Sequence, residues 1–215
     1  MAWPQATDYY EAVQSASVSF KDADLRAAQP ALNALGLPLP RSGNFADVYE
    51  FRSPDAQRRW AVKCFTREVQ DRERRFAAIS QHLKQRHLPF MVEFDYLRDG
   101  ILVRGVWYPV LKMHWVDGQT LSEFVQDQLG KPQMLLGLAK IWRRLAHELR
   151  ETGIAHGDLQ HGNVLLIHSR AGKLGVKLID YDGMFVPAVG SIRSGEVGHP
   201  NYQHPERLRD GTYDF

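Results

Sequence analysis

The chain of 215 residues carries 27 basic and 25 acidic side chains, and 44% of its residues are hydrophobic. The net charge of +2 gives no reason to expect nucleic acid or an anionic membrane as a partner. The sequence contains no run of about 18 apolar residues, the length that a membrane-spanning helix requires. The single cysteine, Cys64, excludes an internal disulfide and a cysteine-based zinc cluster, and it favours a reducing, cytoplasmic compartment.

The first part of the chain predicts an extension followed by a β-hairpin. Residues 1–35 are polar and partly helical in pattern, and residues 36–40 form an extended connector that contains two prolines. Residues 41–44 (Arg-Ser-Gly-Asn) indicate a turn, and apolar and polar side chains then alternate through residues 45–51, as in a strand. A turn at residues 53–55 and an apolar run at residues 60–65 complete the hairpin.

A one-faced helix and three strand-like runs follow. Phe76, Ile79 and Leu83 recur at helical spacing within the charged residues 67–84. The strand-like apolar runs are residues 91–97, 101–106 and 108–115.

The second half of the chain begins with an amphipathic helix and continues into a loop-rich region. One apolar stripe of residues 135–151 contains Leu138, Ile141, Trp142, Leu145 and Leu149, and Gly153 follows in the position of a C-terminal cap. Because strands and helices are segregated rather than alternating, the pattern predicts an α+β fold in two parts. Short apolar runs that predict another hairpin are residues 164–167 and 176–179.

The strongest chemical signal is residues 156–163, His-Gly-Asp-Leu-Gln-His-Gly-Asn, which lie between that helix and that hairpin. Asp158 can orient or deprotonate a hydroxyl group. Asn163 can hold a metal through its amide oxygen, a ligand type suited to Mg²⁺. Asp180 follows the predicted strand 176–179 and is a second candidate magnesium ligand.

These residues, in this order, resemble the protein kinase superfamily, and the likeness runs from about residue 43 to residue 206. Each motif alone is weak, whereas their common order and spacing are specific. The stretches that carry the resemblance are Ala61-Val62-Lys63 (V-A-I-K), residues 113–118 (the link between the lobes), residues 156–163 (the catalytic loop), residues 180–182 (D-F-G) and residues 198–206 (G-T-P-x-Y-x-A-P-E).

The resemblance implies an α+β, protein-kinase-like two-lobe fold. Residues 1–40 would be an N-terminal extension, residues 41–116 a β-rich N-lobe with its hinge, and residues 117–215 a partial helical C-lobe. The large lobe of the family continues with several more helices, so the resemblance also implies a lobe cut short soon after Glu206. Either the chain is a fragment of a longer protein or a partner completes the core.

The resemblance further implies ATP- and Mg²⁺-dependent phosphoryl transfer to Ser or Thr hydroxyls of protein substrates. Lys63 would bind the α- and β-phosphates, and Asp158 would orient the substrate hydroxyl. Asn163 and Asp180 would hold Mg²⁺. The remaining nucleotide contacts would come from Gly43 and Phe45 in the Gly-rich loop, Val48 over adenine, Ala61 beside Lys63, Met113 as gatekeeper, the backbone of His114 and Val116, and Glu73 (or else Glu68) as the partner of Lys63.

Several positions depart from the kinase pattern. The Gly-rich loop retains only Gly43, and Gly157 stands in place of the arginine of H-R-D. Gln160 replaces the lysine that approaches the γ-phosphate in Ser/Thr kinases. The loss of that positive charge should weaken stabilisation of the transition state. Two alternative functions therefore stay open: a nucleotide-binding pseudokinase or scaffold module, and a small-molecule phosphotransferase. Residues 198–206 favour a protein substrate, because small-molecule kinases with H-G-D loops usually lack that segment.

Overall fold

The computed structural model describes residues 3–43, 45–169, 172–190, 192 and 197–210. The fold is mixed α+β with antiparallel sheets, as predicted. The chain divides into two compact units. The segment Arg74–Val92 interrupts the first unit in sequence and belongs to the second. The first unit is Met1–Glu73 with Glu93–Trp115, and the second is Arg74–Val92 with Val116–Phe215.

The first unit contains an antiparallel sheet in the order β1-β3-β4-β6-β5, with β2 paired to β3 outside that path. Three short helices precede it. The elements are α1 (Ala6–Gln14), α2 (Ala16–Ser19), α3 (Ala23–Ala27), β1 (Gln29–Pro30), β2 (Pro40–Ser42), β3 (Ala46–Arg52), β4 (Arg59–Phe65), β5 (Phe94–Val103) and β6 (Val106–His114).

The predicted hairpin of residues 45–51 and 60–65 is confirmed as β3 and β4, within one residue at each end. The turn signal at residues 41–44 is only partly right, because Arg41 and Ser42 belong to β2. The backbone N–H of Gly43 donates to the carbonyl of Ala46 at 2.9 Å and thereby closes the β2–β3 turn. Asn44, the last residue of the predicted turn, lies outside the described residues.

The N-terminal helices bury apolar side chains against one face of this sheet, which a polar extension was not expected to do. Tyr9, Val13 and Leu25 are fully buried in one cluster with residues of β3 to β6. The Tyr9 hydroxyl donates to the carbonyl of Phe65 at 2.6 Å. The sequence pattern is misleading here because only one narrow stripe of each short helix is apolar.

Strand β5 unites two predicted runs, residues 91–97 and 101–106, into one irregular strand. Its register against β6 shifts between Leu97 and Ile101. Gly100 lies in this irregularity, where an added Cβ would come within 3.1 Å of the Val110 backbone nitrogen. A strand pattern broken by such a bulge reads in sequence as two strands.

The second unit holds the amphipathic helices and a small antiparallel sheet in the order β7-β8-β9. Two single 3₁₀ turns, Pro187–Val189 and Pro200–Tyr202, lie in its loop-rich region. The other elements are α4 (Arg72–Arg86, of which the first two residues fall in the first unit), β7 (Gln119–Thr120), α5 (Leu121–Gln128), α6 (Pro132–Glu151), β8 (Val164–His168), β9 (Leu174–Leu178) and α7 (Pro205–Asp210).

Helix α4 begins five residues later than predicted, at Arg72 rather than residue 67. Asp71 has a φ of +57°, a left-handed conformation that cannot continue a right-handed helix. The predicted apolar stripe is confirmed, since Phe76, Ile79 and Leu83 are all buried.

Helix α6 and the β8–β9 hairpin agree with the sequence. Of the predicted stripe of α6, Leu138, Leu145 and Leu149 are buried, whereas Ile141 and Trp142 are half-buried. Gly153 ends the helix with a φ of +69°. Helix α5 was not predicted; it begins with a capping box between Thr120 and Glu123. Among the described residues, no helix combines the length and apolar character that a membrane span requires.

Candidate functional site

The centre of the candidate site is the Asp158 carboxylate, on the loop between α6 and β8. Its Oδ2 accepts from the side-chain amides of Asn163 at 2.9 Å and Gln160 at 3.3 Å. Its Oδ1 accepts from the backbone N–H of His199 at 2.8 Å. The carboxylate is therefore oriented by three donors from two separate segments of the second unit.

The orientation of Asn163 follows from its partners. This residue is 6% exposed, and its amide nitrogen donates to the backbone carbonyl of Asp158 at 3.0 Å as well as to the carboxylate. Because both partners are acceptors, the nitrogen must face them. The amide oxygen is consequently the atom of Asn163 that could coordinate a cation.

The β8–β9 hairpin brings Asn163 and Asp180 to the same end of a two-stranded ladder. Val164 pairs with Leu178, and the backbone N–H of Ile179 donates to the carbonyl of Asn163 at 3.0 Å, which extends the ladder by one rung. Asp180 is the next residue after Ile179. Two motifs that are separate in sequence thus meet through backbone pairing.

Asp180 itself has a left-handed backbone, with φ of +67°. A non-glycine residue in this region costs about 1 kcal/mol or more and persists only where its surroundings hold it. Such strain clusters at functional sites, which makes Asp180 a functional candidate on a ground independent of its motif.

His156 contacts the backbone directly before Asp180. The ring is 2% exposed, and its Nε2 lies 3.1 Å from the carbonyl of Ile179. The backbone N–H of Asp158 donates to Nδ1 across a long 3.4 Å, so the tautomer that satisfies both contacts carries its proton on Nε2. Burial lowers the pKa of His156, which keeps the ring neutral near pH 7 and suits it to holding the loop.

Tyr181 anchors the other side of Asp180. Its side chain is completely buried, and its hydroxyl accepts from the backbone N–H of Val92 at 2.8 Å. The same hydroxyl donates to the carbonyl of Leu178 at 2.8 Å. Burial raises the pKa of the phenol, so it stays protonated and able to donate.

Gly157 allows two backbone segments to approach each other closely. It has a φ of +80°, and an added Cβ would overlap the carbonyl of Gly183 and lie 2.7 Å from its carbon. No side chain fits at this position unless Gly183 moves, so the arginine that the kinase pattern has here could not be accommodated.

The carbonyl of Gly157 accepts two side-chain donors that sequence reasoning missed. Gln203 Nε2 donates at 2.8 Å and Arg207 Nη1 at 2.7 Å, and the Tyr202 hydroxyl lies 2.7 Å from His161 Nδ1. Residues 198–207 are therefore docked on the loop that carries Asp158. No sequence signal reveals these contacts, because the partners lie more than forty positions apart.

In the first unit, four predicted nucleotide-binding residues share one face of the sheet. Val48 pairs with Lys63 across β3 and β4, and Ala61 pairs with Met113 across β4 and β6. Directly paired residues point to the same side, as do residues two apart along a strand. The opposite face, which includes Val62, is the one covered by the N-terminal helices.

The remaining residues that were predicted to bind nucleotide do not belong to this shared face. Gly43 is exposed in the β2–β3 turn, and the ring of Phe45 lies 3.3 Å below the guanidinium carbon of Arg67. His114 is the exposed last residue of β6, and Val116, in the second unit, is half-buried.

Glu73 forms a surface ion pair in the first turn of α4. Its Oε2 lies 3.5 Å from Nε of Arg98, and its side chain is 54% exposed. The alternative, Glu68, is also exposed. The pairing of either glutamate with Lys63 stays a prediction.

The donor set of Asn163 and Asp180 fits a hard divalent cation. An amide oxygen and a carboxylate oxygen are ligands that Mg²⁺ accepts, and it commonly completes its shell with water and phosphate oxygens. Within the described part of the chain, no group of three or more His, Cys, Asp and Glu side chains could hold a metal.

No protein-family model matches this chain, and no curated protein matches it either. The likeness to protein kinases accordingly depends on the sequence motifs and their order.

Proposed function

We propose that this chain is a protein-kinase-like phosphotransferase that uses ATP and Mg²⁺ to phosphorylate Ser or Thr hydroxyls of proteins. The observation that carries the proposal is the ladder from Asn163 to Ile179. It brings Asn163 of the catalytic-loop motif to the same end of the hairpin as the strained Asp180, and Asp158 lies on the same loop as Asn163. A chance occurrence of the motifs would not be expected to produce this arrangement.

The proton of the substrate hydroxyl is assigned to Oδ1 of Asp158. A carboxylate offers about four lone-pair positions. Among the described residues, Oδ2 already accepts from Asn163 and Gln160, whereas Oδ1 accepts only from the His199 backbone. The hydroxyl would donate to Oδ1, and the carboxylate would orient it and take up its proton.

Bound Mg²⁺ would neutralise charge that develops on the transferred phosphoryl group. Asn163 and Asp180 would hold it through oxygen atoms. Lys63 would bind the α- and β-phosphates as a point charge, while the face that Lys63 shares with Val48, Ala61 and Met113 would contact the nucleotide.

A protein substrate is favoured by the contacts of residues 198–207 with the loop that carries Asp158. His199 donates to the carboxylate itself, and Tyr202 is hydrogen bonded to His161. In the kinase pattern this segment supports a peptide. A substrate chain lying on it would present its hydroxyl to the Asp158 carboxylate.

Transfer of labelled phosphate from Mg-ATP to generic protein substrates tests the proposal. Asp158→Asn should lower the rate at least about 100-fold, because it removes the group that orients the hydroxyl. Lys63→Met should abolish measurable transfer. Asp127→Asn and Lys21→Met alter exposed side chains of the same two units and should leave the rate unchanged. Transfer that survives both Asp158→Asn and Lys63→Met would refute the assigned roles.

A non-catalytic nucleotide-binding module is the second candidate, and Gln160 favours it. The neutral amide is hydrogen bonded to Asp158, so no cation at this position is available for a γ-phosphate. In that case Mg-ATP binds, as calorimetry would show, but no phosphate is transferred to proteins or to a panel of small hydroxyl compounds. Gln160→Lys distinguishes the two candidates, since a phosphotransferase should gain rate whereas a binding module should stay inactive.

A further inference from the structure

Arg75, in the first turn of α4, is a buried cation that the proposed reaction does not use. It is 3% exposed. Its guanidinium donates through Nε to the carbonyl of Asp182 at 3.2 Å, through Nη1 to the carbonyl of Ile192 at 3.2 Å, and through Nη2 to the carbonyl of Met184. Burying an ionised group is costly unless it is hydrogen bonded, so this side chain is committed to these contacts.

The carbonyls that Arg75 holds begin two residues after Asp180. On its N-terminal side, Asp180 is held by the backbone pairing of Ile179, and the next residue, Tyr181, is fixed by the hydrogen bond of its hydroxyl to the carbonyl of Leu178. Arg75 supplies the third support, at Asp182 and Met184. A left-handed non-glycine residue persists only where its surroundings hold it from several directions, as these contacts do.

We propose that Arg75 is the positioning residue of the cation site: it holds residues 182–184 so that the Asp180 carboxylate keeps the direction in which it binds a divalent cation. The cation is Mg²⁺ under the proposed function, on which this inference rests. Arg75 acts through the backbone and touches neither nucleotide nor metal. Residues in such supporting shells typically change metal affinity by about 10- to 100-fold when they are altered.

Lysine is the informative substitution at this position. Arg75→Lys keeps the positive charge, but a single ammonium on a flexible stem does not reproduce a planar fork that spans three carbonyls. Arg74 is the matched control, because it lies on the same turn, carries the same charge and is exposed. Asp180→Asn defines the loss expected when a ligand itself is removed.

The experiment is binding of Mn²⁺, a paramagnetic substitute for Mg²⁺, to the full chain without nucleotide, followed by electron paramagnetic resonance. Arg75→Lys should raise the Kd for Mn²⁺ about tenfold, and Arg74→Lys should not change it. Circular dichroism and urea unfolding establish that both variants are folded. A folded Arg75→Lys that binds Mn²⁺ as tightly as the original chain overturns the inference.

Failure of the inference and failure of the proposed function give different results. Mn²⁺ binding that depends on both Asp180 and Arg75, without phosphate transfer to any hydroxyl, supports the inference and refutes the transferase. Transfer with Arg75-independent Mn²⁺ binding refutes only the inference. A chain that binds no Mn²⁺, with or without ATP, overturns both.

The unaltered protein supplies a second test, which applies even if Arg75→Lys does not fold. Coupling between two regions is reciprocal, so Mn²⁺ should slow hydrogen exchange both in residues 179–185 and in the first turn of α4 around Arg75. Slowing confined to residues 179–185 contradicts a link through Arg75. Exchange in the C-terminal half of α6, around Leu145, should not change and serves as the internal reference.

Discussion

The candidate residues of the two units are held in place by different kinds of contact. In the first unit, Val48, Lys63 and Met113 lie on paired strands, and the register of β3, β4 and β6 alone sets their common face. In the second unit, Asp158 and Asp180 lie on irregular backbone that individual hydrogen bonds hold. A strand position therefore tolerates local change, whereas a loop position depends on each of its few contacts.

The largest effect on stability should come from Gly157→Ala, because the added methyl group would overlap the carbonyl of Gly183. We expect a loss of roughly 3 kcal/mol in the free energy of unfolding, because the overlap adds to the strain of a positive φ. Gly105→Ala, in the β5–β6 turn of the first unit, is the control with a φ of +79° and open space around it, and should cost only about 1 kcal/mol. Urea unfolding measures both, and equal losses would argue against the close approach.

Two buried tyrosines, one in each unit, should respond differently to loss of the hydroxyl. Tyr181→Phe removes a hydroxyl that satisfies the backbone of Val92 and Leu178 in a buried place, and should cost about 1–3 kcal/mol. The hydroxyl of Tyr49, on β3, is buried with no hydrogen-bond partner among the described residues. Tyr49→Phe should therefore leave the free energy of unfolding unchanged or raise it slightly. A large loss from Tyr49→Phe would show that its hydroxyl has a partner such as water.

A smaller effect is expected at the start of α5, where the second unit does rely on a regular element. The Thr120 hydroxyl accepts from the backbone N–H of Glu123 at 3.3 Å, and Glu123 accepts from the backbone N–H of Thr120 at 2.8 Å. Thr120→Ala should cost about 1 kcal/mol in urea unfolding. Thr120→Ser keeps the cap, and a loss as large as that of alanine would exclude capping as the cause.

The smallest effect should be the pH dependence contributed by Asp24 in the first unit. The hydrogen bond from Lys112 holds the pKa of Asp24 below its ordinary value of 3.8. A lowered pKa in the folded state means stability that is present above pH 3.8 and lost as the pH falls through the lower folded value. The gap in unfolding free energy between the original chain and Asp24→Asn should therefore be constant near neutral pH and shrink in acid. A gap that is independent of pH would exclude the charge of Asp24 as its source.

Regular elements with strong periodicity could be predicted from the sequence. The β3–β4 hairpin, helix α6 with its cap at Gly153, and the β8–β9 hairpin all agree with their apolar patterns. Residues 1–28 show the limit, because their buried face is visible only once the sheet that it covers is present. The bulged strand β5 is another case, since one irregularity reads as two strands.

Some residues of the candidate site could likewise be predicted from the sequence, and others could not. Asp158, Asn163 and Asp180 could be selected by sequence because residue type and spacing restrict what a loop can do chemically. Arg75, Gln203 and Arg207 could not, since an arginine that donates to backbone carbonyls far away in sequence resembles any surface arginine.

The residue types and their order along the chain are enough to select Asp158, Asn163 and Asp180 as candidates, because hydrogen-bonding and ligand capacity belong to the side chains. Only the folded chain shows which residues are held in place and by which contacts: the backbone pairing of Asn163 with Ile179, the strained backbone of Asp180 and the burial of Arg75. The physical reason is that backbone carbonyls and N–H groups, which are nearly the same at every position, provide most of these contacts. Their partners are therefore specified by the path of the chain and not by residue type.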